Sequence, residues 1–98
     1  MFDFDEFQNE IESICRKYRV KKLTAFGSAL SDDFNEDSDI DFLIELDNAK
    51  NGILRYMNVK FELENLLKCS VDLVMPKAIK NSRIKSYILS DVRNIYAA

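Results

Sequence analysis

Two aspartates at alternate positions, Asp39 and Asp41, follow the dipeptide Gly27-Ser28 after a spacer of ten residues, and a third, Asp72, stands inside Ser70-Val71-Asp72-Leu73-Val74. The run Ser38-Asp39-Ile40-Asp41-Phe42-Leu43-Ile44-Glu45-Leu46 alternates apolar and polar side chains with period two, the mark of a strand with one buried face. Ile40, Phe42, Ile44 and Leu46 then point into a core, and Asp39 and Asp41 point together out of the other face, close enough to share a divalent cation. Two carboxylates at that separation repel unless a cation lies between them. Gly27-Ser28 closes the apolar segment Leu23-Thr24-Ala25-Phe26, where a strand passing into a turn or helix offers free N–H groups to a phosphate. A phosphate cradle beside metal-binding carboxylates is equipment for nucleotide chemistry.

Each of these residues also has a plainer explanation. An isolated Asp-x-Asp is ordinarily a pair of solvated side chains on an edge strand, and Gly-Ser is ordinarily a turn with a helix cap. The Gly-Ser at this distance reverses the balance for the pair. Asp72 alone is weaker evidence, but it interrupts an otherwise apolar segment.

The elements that must position these groups are legible. Phe4, Phe7, Ile11, Ile14, Cys15 and Tyr18 recur at helical spacing and predict a first amphipathic helix over residues 4–19. Asp3 is placed to cap it, Glu6 to complete a capping box, and Phe2 with Phe7 to form a hydrophobic staple. A strand over Val20 to Phe26, a brief helix after Ser28, and a strand from Asp37 or Ser38 to Leu46 follow. Asp47 to Gly52 reads as a turn, and Ile53 to Lys68 as a long helix. That helix has two apolar sides, one of Leu54, Met57 and Phe61, the other of Tyr56, Val59, Leu63, Leu66 and Leu67, with Lys60 and Glu64 between them. One side covers the sheet and the other is left for another segment or a partner chain. Val71 to Met75 is a third strand stopped by Pro76, Ser82 to Ser90 a last helix, and Val92 to Tyr96 a short terminal strand. The four tyrosines and two cysteines read as packing residues.

At Gly27, Ser28, Asp39, Asp41 and Asp72 the chain resembles the minimal nucleotidyltransferases of the DNA polymerase beta superfamily, whose signature is Gly-Ser, a spacer of this length, Asp-x-Asp and a third carboxylate on a later strand. The run Phe26-Gly27-Ser28-Ala29-Leu30-Ser31-Asp32-Asp33-Phe34 is similar to the branch that serves as antitoxin of HEPN-family ribonuclease toxins, and the likeness extends from Val20 to Tyr96. It implies an α+β fold, a mixed sheet with helices packed on one face and an open cleft on the other, as a single domain over residues 1–98. It implies ATP as nucleotidyl donor and two Mg2+ ions held by Asp39, Asp41 and Asp72, with Gly27 and Ser28 on the outgoing phosphates. Asp72 would also take the acceptor's proton. The implied acceptor is a tyrosine of a cognate HEPN toxin, silenced by adenylylation. One position departs from the pattern: the branch usually carries an arginine near the phosphates where this chain has Ser31, leaving Lys77 or Lys80 as replacement cations.

Composition narrows the alternatives. With no histidine in 98 residues, catalysis falls to carboxylates and metal, and two isolated cysteines make no zinc site. No segment is long and apolar enough to span a membrane, and the start Met1-Phe2-Asp3-Phe4-Asp5-Glu6 is acidic where a signal peptide is basic, so a cytoplasmic location is expected. Residues 1–47 hold thirteen acids against five Lys/Arg and residues 48–98 four against nine, a split of −8 and +5 that places the acids around the proposed metal site. Lys77, Lys80, Arg83 and Lys85 form the densest basic stretch, for phosphates, an acidic partner or water. A net charge of −3 disfavours direct binding of nucleic acid. Two other functions compete: a non-catalytic antitoxin that binds its toxin stoichiometrically, kept in play by Ser31, and a nucleotidyltransferase with a small-molecule or RNA acceptor.

Overall fold

The computed structural model describes residues 1–35, 37–47 and 50–98. Phe4 is the residue that sets the beginning of the chain. It turns fully inward, and the chain enters its first helix through a 3-10 turn, Asp5–Phe7, before the α-helix α1, Gln8–Lys17. The expected helix over 4–19 is therefore shorter. Asp3 does accept an N–H, from Asp5 at 3.1 Å, and the staple forms, with the Phe2 and Phe7 rings stacked at 5.8 Å. Phe2, Phe4, Phe7, Phe34 and Phe42 join in one aromatic cluster that ties this entry to the sheet.

Strand β1 spans Val20–Phe26 as its sequence predicts, and a single 3-10 turn, Gly27–Leu30, follows it. Strand β2 is Ile40–Leu46, starting later than expected, because Asn35 and Ser38 satisfy backbone groups locally, Asn35 Oδ1 accepting the Asp37 N–H (2.8 Å) and Ser38 Oγ the Asn35 N–H (3.2 Å). Helix α2 spans Gly52–Leu67, and Asn48 and Ala49 of the expected turn before it lie outside the described residues. Strand β3, Val71–Val74, helix α3, Ser82–Leu89, and strand β4, Val92–Ala97, complete the chain.

The sheet runs β3-β2-β1-β4, with β1 antiparallel to both β2 and β4 and β2 parallel to β3 across the α2 crossover. Leu23, Ala25, Ile40, Phe42, Ile44, Val71, Leu73 and Ile95 form the core with Ile11, Ile14 and Cys15 of α1 and Val59, Leu63 and Leu67 of α2. Lys60 and Glu64, at the boundary of the two apolar sides of α2, clasp the start of β3: the Lys60 ammonium donates to the Val71 carbonyl (2.8 Å) and the Val71 N–H to the Glu64 carboxylate (3.0 Å). The other side of α2 stays bare, with Leu54, Met57 and Phe61 exposed. Cys15 is buried, its thiol pushed up to about 12 by desolvation and then by Glu12. Cys69 is only half-buried, and Tyr87, expected to pack, is 82% exposed.

Candidate active site

Residues across the sheet fall in register rows. Val92 pairs with Phe26, Phe26 with Asp41, and Asp41 with Asp72, so these four residues, one from each strand, form a single row. Phe42 and Ile44 are directed to the helices, so Asp41 and its row face the other side of the sheet, and the next row, Asn94, Thr24, Leu43 and Val74, shares that side. Asp41 and Asp72 are thus neighbours on adjacent parallel strands, where like charges raise each other's cost. Asp41 is the more enclosed of the two. Its carboxyl is held above the usual carboxylate range, first by desolvation, then by the charges of Asp72 and Asp39 and a hydrogen bond to Asp72.

Gly27 is what lets Asp41 take this place. Its φ is +76°, a left-handed conformation in which a side chain is strained, and a Cβ built there would meet Asp41 Oδ2 at 2.6 Å. The strand-to-turn transition therefore admits the carboxylate only because the residue has no side chain. Ser28 is exposed next to it, its hydroxyl 3.4 Å from the Asp39 carbonyl, which it faces as donor.

Asp39 lies one residue ahead of β2 and is exposed; its charge reaches Asp41. Among the described residues no three Asp, Glu or Cys side chains gather tightly enough to make a metal cage by themselves. The structure thus brings Asp41 and Asp72 together beside Gly27 and Ser28 and leaves Asp39 at the margin. Carboxylates with hard oxygen donors still suit Mg2+, which is bound through one or two protein carboxylates with waters and substrate phosphates filling its octahedron.

The cations are elsewhere. Ser31 uses its hydroxyl to accept the Asp33 N–H at 3.0 Å. Lys77 lines an open cavity of about 540 Å3 with Lys21, Leu46, Ile53 and Met75, toward the far end of β2. Four residues of strand, about 13 Å, separate Asp41 from Glu45 on the rim of that cavity. A second cavity of about 470 Å3, between α1 and α2, carries Glu10, Lys17 and Glu62 and is remote from the row.

The charged residue that periodicity missed is Arg55. It is 8% exposed and spends its guanidinium on the carbonyls of Tyr18 (3.0 Å), Arg19 (3.2 Å), Asp47 (2.8 Å) and Lys50 (3.0 Å) and on the Asp47 carboxylate (2.9 Å). It binds the start of α2 to the ends of α1 and β2. Its only sequence signal is an arginine between the two apolar sides of an amphipathic helix.

A four-stranded mixed sheet with helices on one face and paired carboxylates beside a strand-ending Gly-Ser on the other defines a nucleotide-handling α+β domain. The comparisons place it further. Residues 9–95 match the model of the nucleotidyltransferase domain, and the chain belongs to that family of enzymes. A Methanocaldococcus jannaschii protein bearing the protein adenylyltransferase name is 37% identical over 86% of this chain and 93% of its own length. Protein adenylyltransferase MntA of Thermococcus cleftensis is 31% identical over 81% of this chain and 87% of its own. Among solved structures, a minimal nucleotidyltransferase superimposes with a TM-score of 0.75 at 25% identity, covering 91% of this chain and 89% of the other. A toxin-antitoxin crystal structure with AMP-PNP shares the fold at a TM-score of 0.70 and 19% identity, over 93% and 73% of the two chains. Among the described residues no helix is long and apolar enough to cross a membrane.

Proposed function

We infer that this chain, as a single domain over residues 1–98, transfers AMP from ATP to a tyrosine of a HEPN-family ribonuclease toxin and neutralises it as its cytoplasmic antitoxin. The observation that carries the reading is the Asp41–Asp72 pair, face to face on parallel strands and admitted by a left-handed Gly27. The protein adenylyltransferase names of its relatives support the same chemistry.

In this reading Asp41 and Asp72, with Asp39 from the margin, hold two Mg2+ ions. The ions, when bound, supply the positive charge that a triphosphate and neighbouring carboxylates require. Ser28 and the N–H groups around Gly27 and Ser28 receive the β- and γ-phosphates. The tyrosine oxygen forms its bond to the α-phosphorus as the bond from that phosphorus to the bridging oxygen breaks, and pyrophosphate leaves. Asp72, the more exposed carboxylate of the pair, accepts the phenol proton.

Incubation with a cognate HEPN-family toxin, Mg2+ and ATP, followed by intact mass measurement, tests it. The toxin is expected to gain the mass of one AMP for each modified tyrosine, and Asp72→Asn is expected to abolish the gain while ATP still binds. Neutralisation with no mass gain, or full protection by the Asp39→Asn/Asp41→Asn double variant, would remove catalysis from the account.

Ser31 supports one second reading, a stoichiometric antitoxin, since a serine that only accepts an N–H leaves the phosphates without the family's cation. Ser31→Arg is expected to tighten ATP binding by about 1–3 kcal/mol, the worth of a charge-assisted hydrogen bond. Tighter binding with no gain in transfer would favour that second reading.

A further inference from the structure

Unlike α1 and α2, helix α3 buries none of its residues. Ile84, Tyr87 and Leu89 are 53%, 82% and 46% exposed. A helix of eight residues has little stability of its own in water, where helices are held mainly by packing of one face. This one is instead fixed at its ends. The Asn81 side chain accepts the N–H groups of Arg83 (2.9 Å) and Ile84 (3.3 Å), and the chain beyond Leu89 enters β4 at Val92.

The charge around that bare face is one-sided. Residues 75–90 contain Lys77, Lys80, Arg83 and Lys85 and no Asp or Glu. None of the four makes an ion pair among the described residues. Unpaired cations bordering exposed Ile84 and Tyr87 complement a surface that is acidic and partly apolar. The position is equally specific. Val92, the first residue of β4 and three residues beyond the end of the helix, belongs to the row of Phe26, Asp41 and Asp72, two strand spacings or about 10 Å from Asp41.

We propose that α3 is the docking helix for the acceptor protein of the transfer reaction, seating an acidic, partly apolar face of that protein on Ile84 and Tyr87 between Lys80, Arg83 and Lys85. Docking there brings the acceptor hydroxyl beside the Asp41–Asp72 row. The assignment rests on the reading given under Proposed function. An acidic protein suits the surface better than a nucleic acid, because the same row presents carboxylates to any phosphate chain laid along the helix.

Arg83→Glu/Lys85→Glu and Tyr87→Ala change exposed side chains, and both are expected to keep the circular dichroism and Tm of the wild type. With a cognate HEPN-family toxin as acceptor, the charge reversal is expected to raise the KM for acceptor about tenfold, more at low salt. The KM for ATP and kcat at saturating acceptor should not move. Tyr87→Ala should raise the same KM without the salt dependence. An unchanged acceptor KM in both variants, with transfer intact, overturns the docking assignment and leaves the transfer reading standing. Absence of transfer by the wild type overturns the transfer reading and the docking assignment with it. Binding of a short single-stranded RNA that the charge reversal abolishes, with acceptor KM unmoved, assigns α3 to nucleic acid and overturns the proposal.

Discussion

Buried Arg55 and half-buried Asp41 are two charges that this fold treats in opposite ways. Among the described residues Arg55 donates to the backbone carbonyls of Tyr18, Arg19, Asp47 and Lys50 and to the Asp47 carboxylate, so its burial is compensated by groups that are already part of the fold. Asp41 is pressed against Gly27 and faces another carboxylate across the strands, with a third nearby. The first arrangement completes the structure, whereas the second, in the function proposed above, would be completed by a cation and a phosphate. A charge left locally unfavourable at a place where the backbone has been shaped to receive it marks a functional site.

The comparison predicts that the two charges respond to removal with opposite sign. Arg55→Met is expected to destabilise the protein by about 2–4 kcal/mol, because several carbonyls lose a charged donor at once. Thermal unfolding would measure this, and a loss below about 1 kcal/mol would mean that Arg55 does not hold the start of α2. Gly27→Ala should cost about 1–2 kcal/mol for its left-handed backbone. The carboxylate of Asp41, the movable partner of the clash, is expected to swing away, so transfer falls more than stability does. Full transfer by the Gly27→Ala variant would break the link between the glycine and the site.

Asp41→Asn, by contrast, is expected to stabilise the metal-free protein by about 0.5–1 kcal/mol through relief of the cross-strand repulsion. In a domain of this size that amounts to a few degrees in Tm. A Tm that falls would contradict the claim that the pair is unfavourable without its ligand. The smallest effect is on pH dependence. The Glu62 carboxyl is held below its ordinary value of 4.5, first by the Tyr18 hydroxyl and then by Lys17, against an opposing desolvation. A depressed carboxylate adds stability that is present above its unfolded value and lost as pH falls through the folded one. The wild type should therefore lose stability below pH 4.5 more steeply than Tyr18→Phe does. Parallel curves would remove Tyr18 from the interaction.

Period-two alternation was enough to place Ile40, Phe42 and Ile44 against the helices and Asp41 opposite them, and apolar length with a terminal Gly-Ser was enough to bound Val20 to Phe26. What local pattern does not carry is register. That Asp41 faces Asp72 follows from the parallel pairing of β2 with β3, fixed in part by the Lys60 and Glu64 clasp on Val71, whose two polar side chains look solvated in the sequence. Asp39 falls outside β2 because Asn35 and Ser38 satisfy the backbone locally before the strand begins, a competition that alternation does not register. Arg55 was invisible because most of its described partners are backbone carbonyls outside its own helix, and the bareness of α3 was invisible because Ile84, Tyr87 and Ile88 have the spacing of a buried face.

The central claim is that Asp41 and Asp72 form an anionic pair that binds nucleotide with a divalent cation. Calorimetric titration of ATP into the wild type and into Asp41→Asn, each with Mg2+ and again with a chelator, tests it most directly. The account predicts binding by the wild type that is lost with the chelator, and loss of the Mg2+-dependent part in an Asp41→Asn protein that remains folded with an equal or higher Tm. Mg2+-ATP affinity in folded Asp41→Asn equal to that of the wild type would contradict it.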